Sequence, residues 1–253
     1  MPGVSHRLGA ALTRARLLAP VSFACLALFA PATACAFTAV HGDGHLVTRT
    51  RPISGFTHVR YRLPIDLDVV ESGPASVIVE VDRNLQPLVQ TRVEDGTLVI
   101  DAKRPGIDPT RGAKVIVRLP RLDGLSMHGS ADVDVDAGAP TRDLAFDLHG
   151  SGGLNFHGHV RVLDLSGHGS GDVVLVGSAE RLRTSMAGSG DLTASDFHAQ
   201  NASVDLRGSG DASLAIDGGE AHFSIRGSGD IDWRGTAKVT GTEVRGSGSI
   251  THV

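Results

Sequence analysis

Seven Gly-Ser pairs recur at near-constant spacing. They begin at Gly129, Gly150, Gly169, Gly188, Gly208, Gly227 and Gly246, at intervals of 21, 19, 19, 20, 19 and 19 residues. Most continue as Gly-Ser-Gly-Asp; the first reads Gly-Ser-Ala-Asp, the second Gly-Ser-Gly-Gly and the last Gly-Ser-Gly-Ser. A fixed period of this length marks a repeat architecture and outranks any local propensity. Aligned on the first glycine, apolar residues fall into columns. Four residues after it stand Val133, Leu154, Val173, Leu192, Ala212, Ile231 and Ile250, and two further on Val135, Phe156, Leu175, Ala194, Leu214, Trp233 and His252. Two before it stand Met127, Leu148, Gly167, Met186, Leu206, Ile225 and Val244. Polar residues separate the columns, so each repeat carries half-buried strands on either side of a glycine corner.

A unit of 19–20 residues built this way predicts one coil of a parallel β-helix. Like residues then stack about 4.8 Å apart, and seven coils make a rod segment of roughly 30 Å. A leucine-rich repeat would show several Leu positions and an Asn, which are absent. An antiparallel meander would turn every 8–12 residues rather than once per repeat. The corner calls for glycine because a sharp bend needs a positive φ or close backbone approach. Composition agrees: the 253 residues include 32 glycines but only eight Phe, one Tyr and one Trp, so the core stacks small aliphatic side chains in place of rings.

Ten of the eleven prolines lie at or before Pro120, and 23 of the 32 glycines from Gly124 onward. Residues 37–122 therefore read as a differently built β-strand part, and 123–253 as the glycine-cornered repeats. The first part has alternating runs such as Val77-Ile78-Val79-Glu80-Val81 and Lys114-Val115-Ile116-Val117-Arg118-Leu119, and Asp95-Gly96 is a hairpin signal. No segment shows a capped helical period. Residues 1–36 carry Arg7, Arg14 and Arg16 with no acidic residue, then a Leu17–Ala30 apolar stretch and Ala34-Cys35-Ala36, which predicts a secretory signal peptide. The stretch is short of the roughly 20 residues of a spanning helix. Cleavage after Ala36 removes both cysteines and leaves 21 basic against 28 acidic residues, a net charge of −7. Cleavage before Cys35, leaving a lipid-bearing cysteine, is the alternative, although Ala32 stands where a larger aliphatic residue is usual. An acidic balance gives no reason to expect nucleic acid.

The run Ile53-Ser54-Gly55-Phe56, then Leu98-Val99-Ile100, then Ile116-Val117-Arg118-Leu119-Pro120-Arg121-Leu122, followed by the Gly-Ser-Gly-Asp repeats, resembles the putative auto-transporter adhesin, head GIN domain family of bacterial envelope proteins. The resemblance covers about residues 47–253. It implies a right-handed parallel β-helix outside the cytoplasm and an adhesin-like role, and it brings no catalytic or binding residues. A translocating β-barrel of the complete auto-transporter kind is not in this sequence.

The residue before each corner glycine runs His128, His149, His168, Ala187, Arg207, Arg226, Arg245. Its parity is opposite to the apolar columns, so it predicts an outward ladder that can take a soft divalent metal or an anion, with His157 and His159 in the same coil as His149. No carboxylate is fixed by spacing to orient those imidazoles, and a solvated surface row is the plainer reading. Three residues after the corner stand Asp132, Asp172, Asp191, Asp211 and Asp230, with Gly153 and Ser249 breaking the run. Like charges at ladder spacing need a partner, and the arginine column is the expected one. Calcium is the sharper alternative, but the Gly-Gly-x-Gly-x-Asp nonapeptide is absent. Seven equivalent serines, Ser130 to Ser247, do not make a nucleophile, which needs one oriented base. β-Helix polysaccharide-active enzymes wall their clefts with long loops, and these coils have no residues to spare.

The sequence thus predicts an exported, non-enzymatic β-helical protein without cofactor. Its His/Arg/Asp stripe would bind a glycan, envelope component or protein. The competing class is a structural envelope module that self-associates as a homodimer through its last coil, Gly246–Val253.

Overall fold

A computed structural model describes residues 39–104 and 106–253. The signal peptide expected over 1–36, with Cys35, lies outside them. No described residue is helical, and no helix long and apolar enough to cross a membrane is present among them.

From Gly124 onward the chain winds through parallel coils. One face stacks Gly124–Gly129, Asp143–Gly150 and the second halves of the long strands Leu154–Gly169, Val173–Gly188 and Leu192–Gly208, followed by Glu220–Gly227 and Lys238–Gly246. The other stacks Val133–Asp136, the first halves of those long strands, then Ala212–Ile216, Ile231–Gly235 and Ile250–His252. The register is that of the sequence repeat: His128, His149, His168, Ala187, Arg207, Arg226 and Arg245 pair in succession. The chain is a parallel β-solenoid.

The corner explains both glycines of Gly-Ser-Gly. The first, Gly129 through Gly246, has φ between +129° and +149°, which L side chains rarely adopt. From Gly150 on, a Cβ there would also fall on the carbonyl oxygen of the glycine one coil below. The second glycine, at 152, 171, 190, 210, 229 and 248, is excluded from bearing a side chain by the same close approach. The first repeat has no glycine corner beneath it. Its second position is Ala131, a buried methyl, and a Cβ on Gly129 would meet nothing. The coil below therefore dictates the Gly-Ser-Gly spelling of each later corner.

Inside, the apolar columns are buried up to the last coil, where Val244 is exposed, with Phe146, Phe156, Phe197 and Phe223 among the largest enclosed side chains. The gap at Gly167 is filled by the Met186 thioether. His252, in an apolar column, stacks on Trp233 at 4.0 Å between ring centroids.

The parallel stack extends into the earlier residues. His58–Tyr61 lies in register beneath Gly124–Met127, and Asp66–Glu71 beneath Val133–Asp136. Beyond them lie Thr97–Ala102 and Lys114–Leu119, later in sequence but further out in the stack. That end is then closed by antiparallel strands. Leu46–Arg51 pairs with Ser76–Asp82, which pairs with Lys114–Leu119, and Val89–Glu94 folds back on Thr97–Ala102 through Asp95-Gly96, both at positive φ.

This closing region is pinned by buried polar anchors. The Asp82 carboxylate accepts from the Thr110 hydroxyl (2.5 Å), the Thr110 amide (2.8 Å) and the Gly44 amide (2.9 Å). Burial pushes its pKa up, but these bonds outweigh burial and hold it below the ordinary carboxylate value. The Gln86 amide donates to the Val47 and Val79 carbonyls, and Tyr61 donates its hydroxyl to Ile65.

Candidate binding face

On the face that precedes the corner, every second residue points out. The row before the glycine begins with three imidazoles stacked like coins. His128 and His149 are 4.8 Å apart between centroids with planes 19° apart, and His149 and His168 are 5.0 Å and 14° apart. Parallel rings aim their nitrogens side by side instead of at a common point. No group of three His, Cys, Asp or Glu side chains placed to hold a metal ion is found among the described residues. His157 and His159 lie on the strand of the other face, beside Asp136 (3.7 Å) and the Ser178 hydroxyl (2.8 Å), and do not join His149.

The arginines do not balance the corner aspartates. Arg207 and Arg226 pair with Asp205 (2.5 and 3.3 Å), and Arg226 and Arg245 with Glu243 (3.6 and 2.6 Å). These carboxylates stand two residues before the corner arginines of their own coils. The aspartates instead face the next coil's backbone. Asp132 accepts from the Gly153 amide, Asp172 from Asp191, Asp191 from Asp211, Asp211 from Asp230, and Asp230 from Ser249, all between 2.7 and 2.9 Å. At these five corners a carboxylate meets an amide of the next coil, which is a structural use. The corner serines are exposed, and from Ser151 on they bond through their backbone amides to the glycine carbonyl one coil below.

Parallel to the imidazole row runs a shallow trough of about 600 Å³ along the stacking direction. Its floor is made of small residues, including Gly124, Ser126, Ala145, Ser166 and Ser185, and it extends from His58 and Arg60 at one end to Asp205 at the other. Among the described residues, the carboxylate in bonding contact with the imidazole stack is Asp147, 3.0 Å from His149. His128 has its pKa lowered by burial first, then by His149 and Arg62 beside it. Sequence reasoning did not single out Arg60, Arg62 and Asp147. The first two have the right outward parity around Tyr61, but no glycine corner follows them to bring them into the repeat alignment.

The fold and face together define a class: a β-solenoid of short coils whose long side displays side-chain ladders and a trough. The chain belongs to the family described as "Putative auto-transporter adhesin, head GIN domain", which matches residues 55–237. Solved structures share the fold. A "putative adhesin" from Bacteroides fragilis superposes with a TM-score of 0.80 at 22% identity, covering 85% of this chain and 100% of that one. A "putative lipid binding protein" from Parabacteroides distasonis gives 0.68 at 24%, with 85% and 100% covered. A "putative adhesin" from Parabacteroides merdae gives 0.63 at 20%, with 85% and 99% covered. No curated protein matches the sequence.

Proposed function

We propose that the chain is an exported, non-enzymatic, adhesin-like protein of the cell envelope that binds its target along the ladder face. The observation that carries this reading is the trough and the side-chain rows beside it, which run along the stacking direction across successive coils. Long, shallow and repetitive, such a surface suits an extended ligand; a catalytic site needs a few groups converging on one atom. The family description and the basic, apolar start of the sequence support the location. The test is a glycan array together with a pull-down of cell-wall fractions by the full chain. Retention of at least one fraction is expected, and two empty results contradict the reading.

Self-association is the second reading. Strand Lys238–Gly246 has no strand on its outer side among the described residues, and Val239 and Val244 are 38% and 43% exposed. Light scattering would then show a dimer; a monomer across micromolar concentrations removes this reading.

A further inference from the structure

The charges along the face are unevenly compensated. Arg121, Arg142, Arg161 and Arg183 each have a carboxylate partner, as do the corner arginines Arg207, Arg226 and Arg245. Around the imidazole stack the pattern reverses. Arg60, Arg62, His128 and His168 have no carboxylate within 4.0 Å among the described residues, and Asp147 serves His149 alone. The register of His58–Tyr61 beneath Gly124–Met127 puts Arg60 beside Ser126 and carries the row on toward Arg62 beneath His128. Arg60, Arg62, His128, His149 and His168 therefore form a stripe of five cationic or protonatable groups spanning three coils and the one below them.

The other carboxylates on the elements packed against the stripe have partners of their own. On the strand beneath, Asp101 is held by Arg92 at 2.8 Å. His58 is bonded to the Thr57 hydroxyl, and Asp164 to Arg183 at 3.2 Å. Across the corner, Asp132 and Asp172 are engaged with backbone amides. The stripe lies in a chain with an overall charge of −4, so it is a local inversion of sign.

We propose that this stripe binds an acidic polysaccharide, a linear glycan with a carboxylate on each sugar, and binds it more tightly as pH falls below neutral. The proposal rests on the binding-face reading above and names its ligand. Charge is the first argument: the groups line up along the stacking direction, with the imidazoles 4.8–5.0 Å apart, so an extended polyanion laid along the trough meets several of them. The second is the lack of any aromatic platform. Phe56, Tyr61, Phe146, Phe156, Phe197, Phe223 and Trp233 are all buried, so no Phe, Tyr or Trp among the described residues offers a face to a neutral sugar or a nucleobase. Recognition is left to charge and to the serine hydroxyls of the adjacent trough. Burial first, then His149 and Arg62 beside it, disfavour the charged form of His128, and a bound row of carboxylates relieves the repulsion part of that. Protonation and polyanion binding therefore favour one another.

The test is calorimetric titration of the full chain at low salt with polygalacturonate, galacturonate monomer and neutral dextran, at about pH 5.5 and about pH 7.5, on either side of the imidazole pKa. Polygalacturonate binding should tighten about tenfold at the lower pH, as positive charge develops on the imidazole stack opposite the glycan carboxylates. The monomer and dextran should bind far more weakly. The double variant His128→Gln/His168→Gln should lose most of the pH dependence, and Arg62→Ala should weaken binding at both pH values, with melting temperatures unchanged. Absence of polygalacturonate binding, equal binding of monomer, or an unaltered pH profile in the histidine variant overturns the proposal. If another envelope fraction binds regardless of these variants, the ladder face stands as a binding surface and the stripe's assignment falls. If no fraction binds, both fall.

Discussion

The glycine-cornered coils and the antiparallel end that closes them solve the same problem by opposite means. Each must satisfy backbone groups where the chain bends. In the coils the solution is repeated: a glycine at positive φ, a second glycine where backbones nearly touch, and an aspartate or its substitute facing the next amide. In the closing region each solution occurs once, as with the Asp82 carboxylate on Thr110 and Gly44, or the Gln86 amide on two carbonyls. A solenoid can spread its requirements over many equal contacts, whereas its end concentrates them on a few residues.

That contrast can be broken by mutation. The largest effect is expected at the corner. Gly188→Ala forces a methyl onto the Gly169 carbonyl at φ +140° and should cost about 4 kcal/mol or more, while Gly129→Ala, equally left-handed but facing open space, should cost only about 1–2 kcal/mol. Urea unfolding of the two variants measures the difference; equal losses would mean that φ alone, and not the coil below, dictates the glycine. Next comes Asp82→Ala, which removes a buried acceptor and with it three part-buried hydrogen bonds, and should cost about 2–3 kcal/mol.

The Asp82 carboxyl also sets a pH dependence. Its folded pKa is depressed, so its contribution is present above the ordinary carboxylate value of about 4 and is lost as pH falls through the folded value. Asp82→Asn should therefore flatten the acid limb of a stability–pH curve, and an unchanged limb would assign acid sensitivity elsewhere. The smallest effect belongs to one rung of the aspartate column. Asp191→Ala removes a single exposed acceptor from the Asp211 amide and should cost about 1 kcal/mol by urea unfolding. A loss as large as that of Asp82→Ala would contradict the idea that the coils share their load.

The same contrast decides what could be read from the sequence. The period, the corner, the inward columns and the outward His/Arg row were legible because each recurs through the repeats, the row in six of the seven. The partners of the charges were not. Asp205 and Glu243 capture the arginines because they stand on the same outward face two residues earlier, while the corner aspartates face a backbone amide that no side-chain pattern reveals. Least legible was the order of stacking at the closed end. Thr97–Ala102 lies outside His58–Tyr61, which itself meets Gly124–Met127 across a long sequence gap. Arg60 and Arg62 were missed for that reason, since their place in the cationic stripe comes from a pairing and not from a repeat.

That pairing is the hinge of the account, because it joins the two regions and completes the stripe. Directly paired positions in neighbouring parallel strands are about 4.8 Å apart, within reach of a disulfide. The direct measurement is oxidative cross-linking of Arg60→Cys/Ser126→Cys, beside the within-repeat pair Ser166→Cys/Ser185→Cys, in protein whose native cysteines are replaced by serine. Both pairs should form intramolecular disulfides. A bond at 166/185 with none at 60/126 would contradict the shared stack and, with it, the stripe.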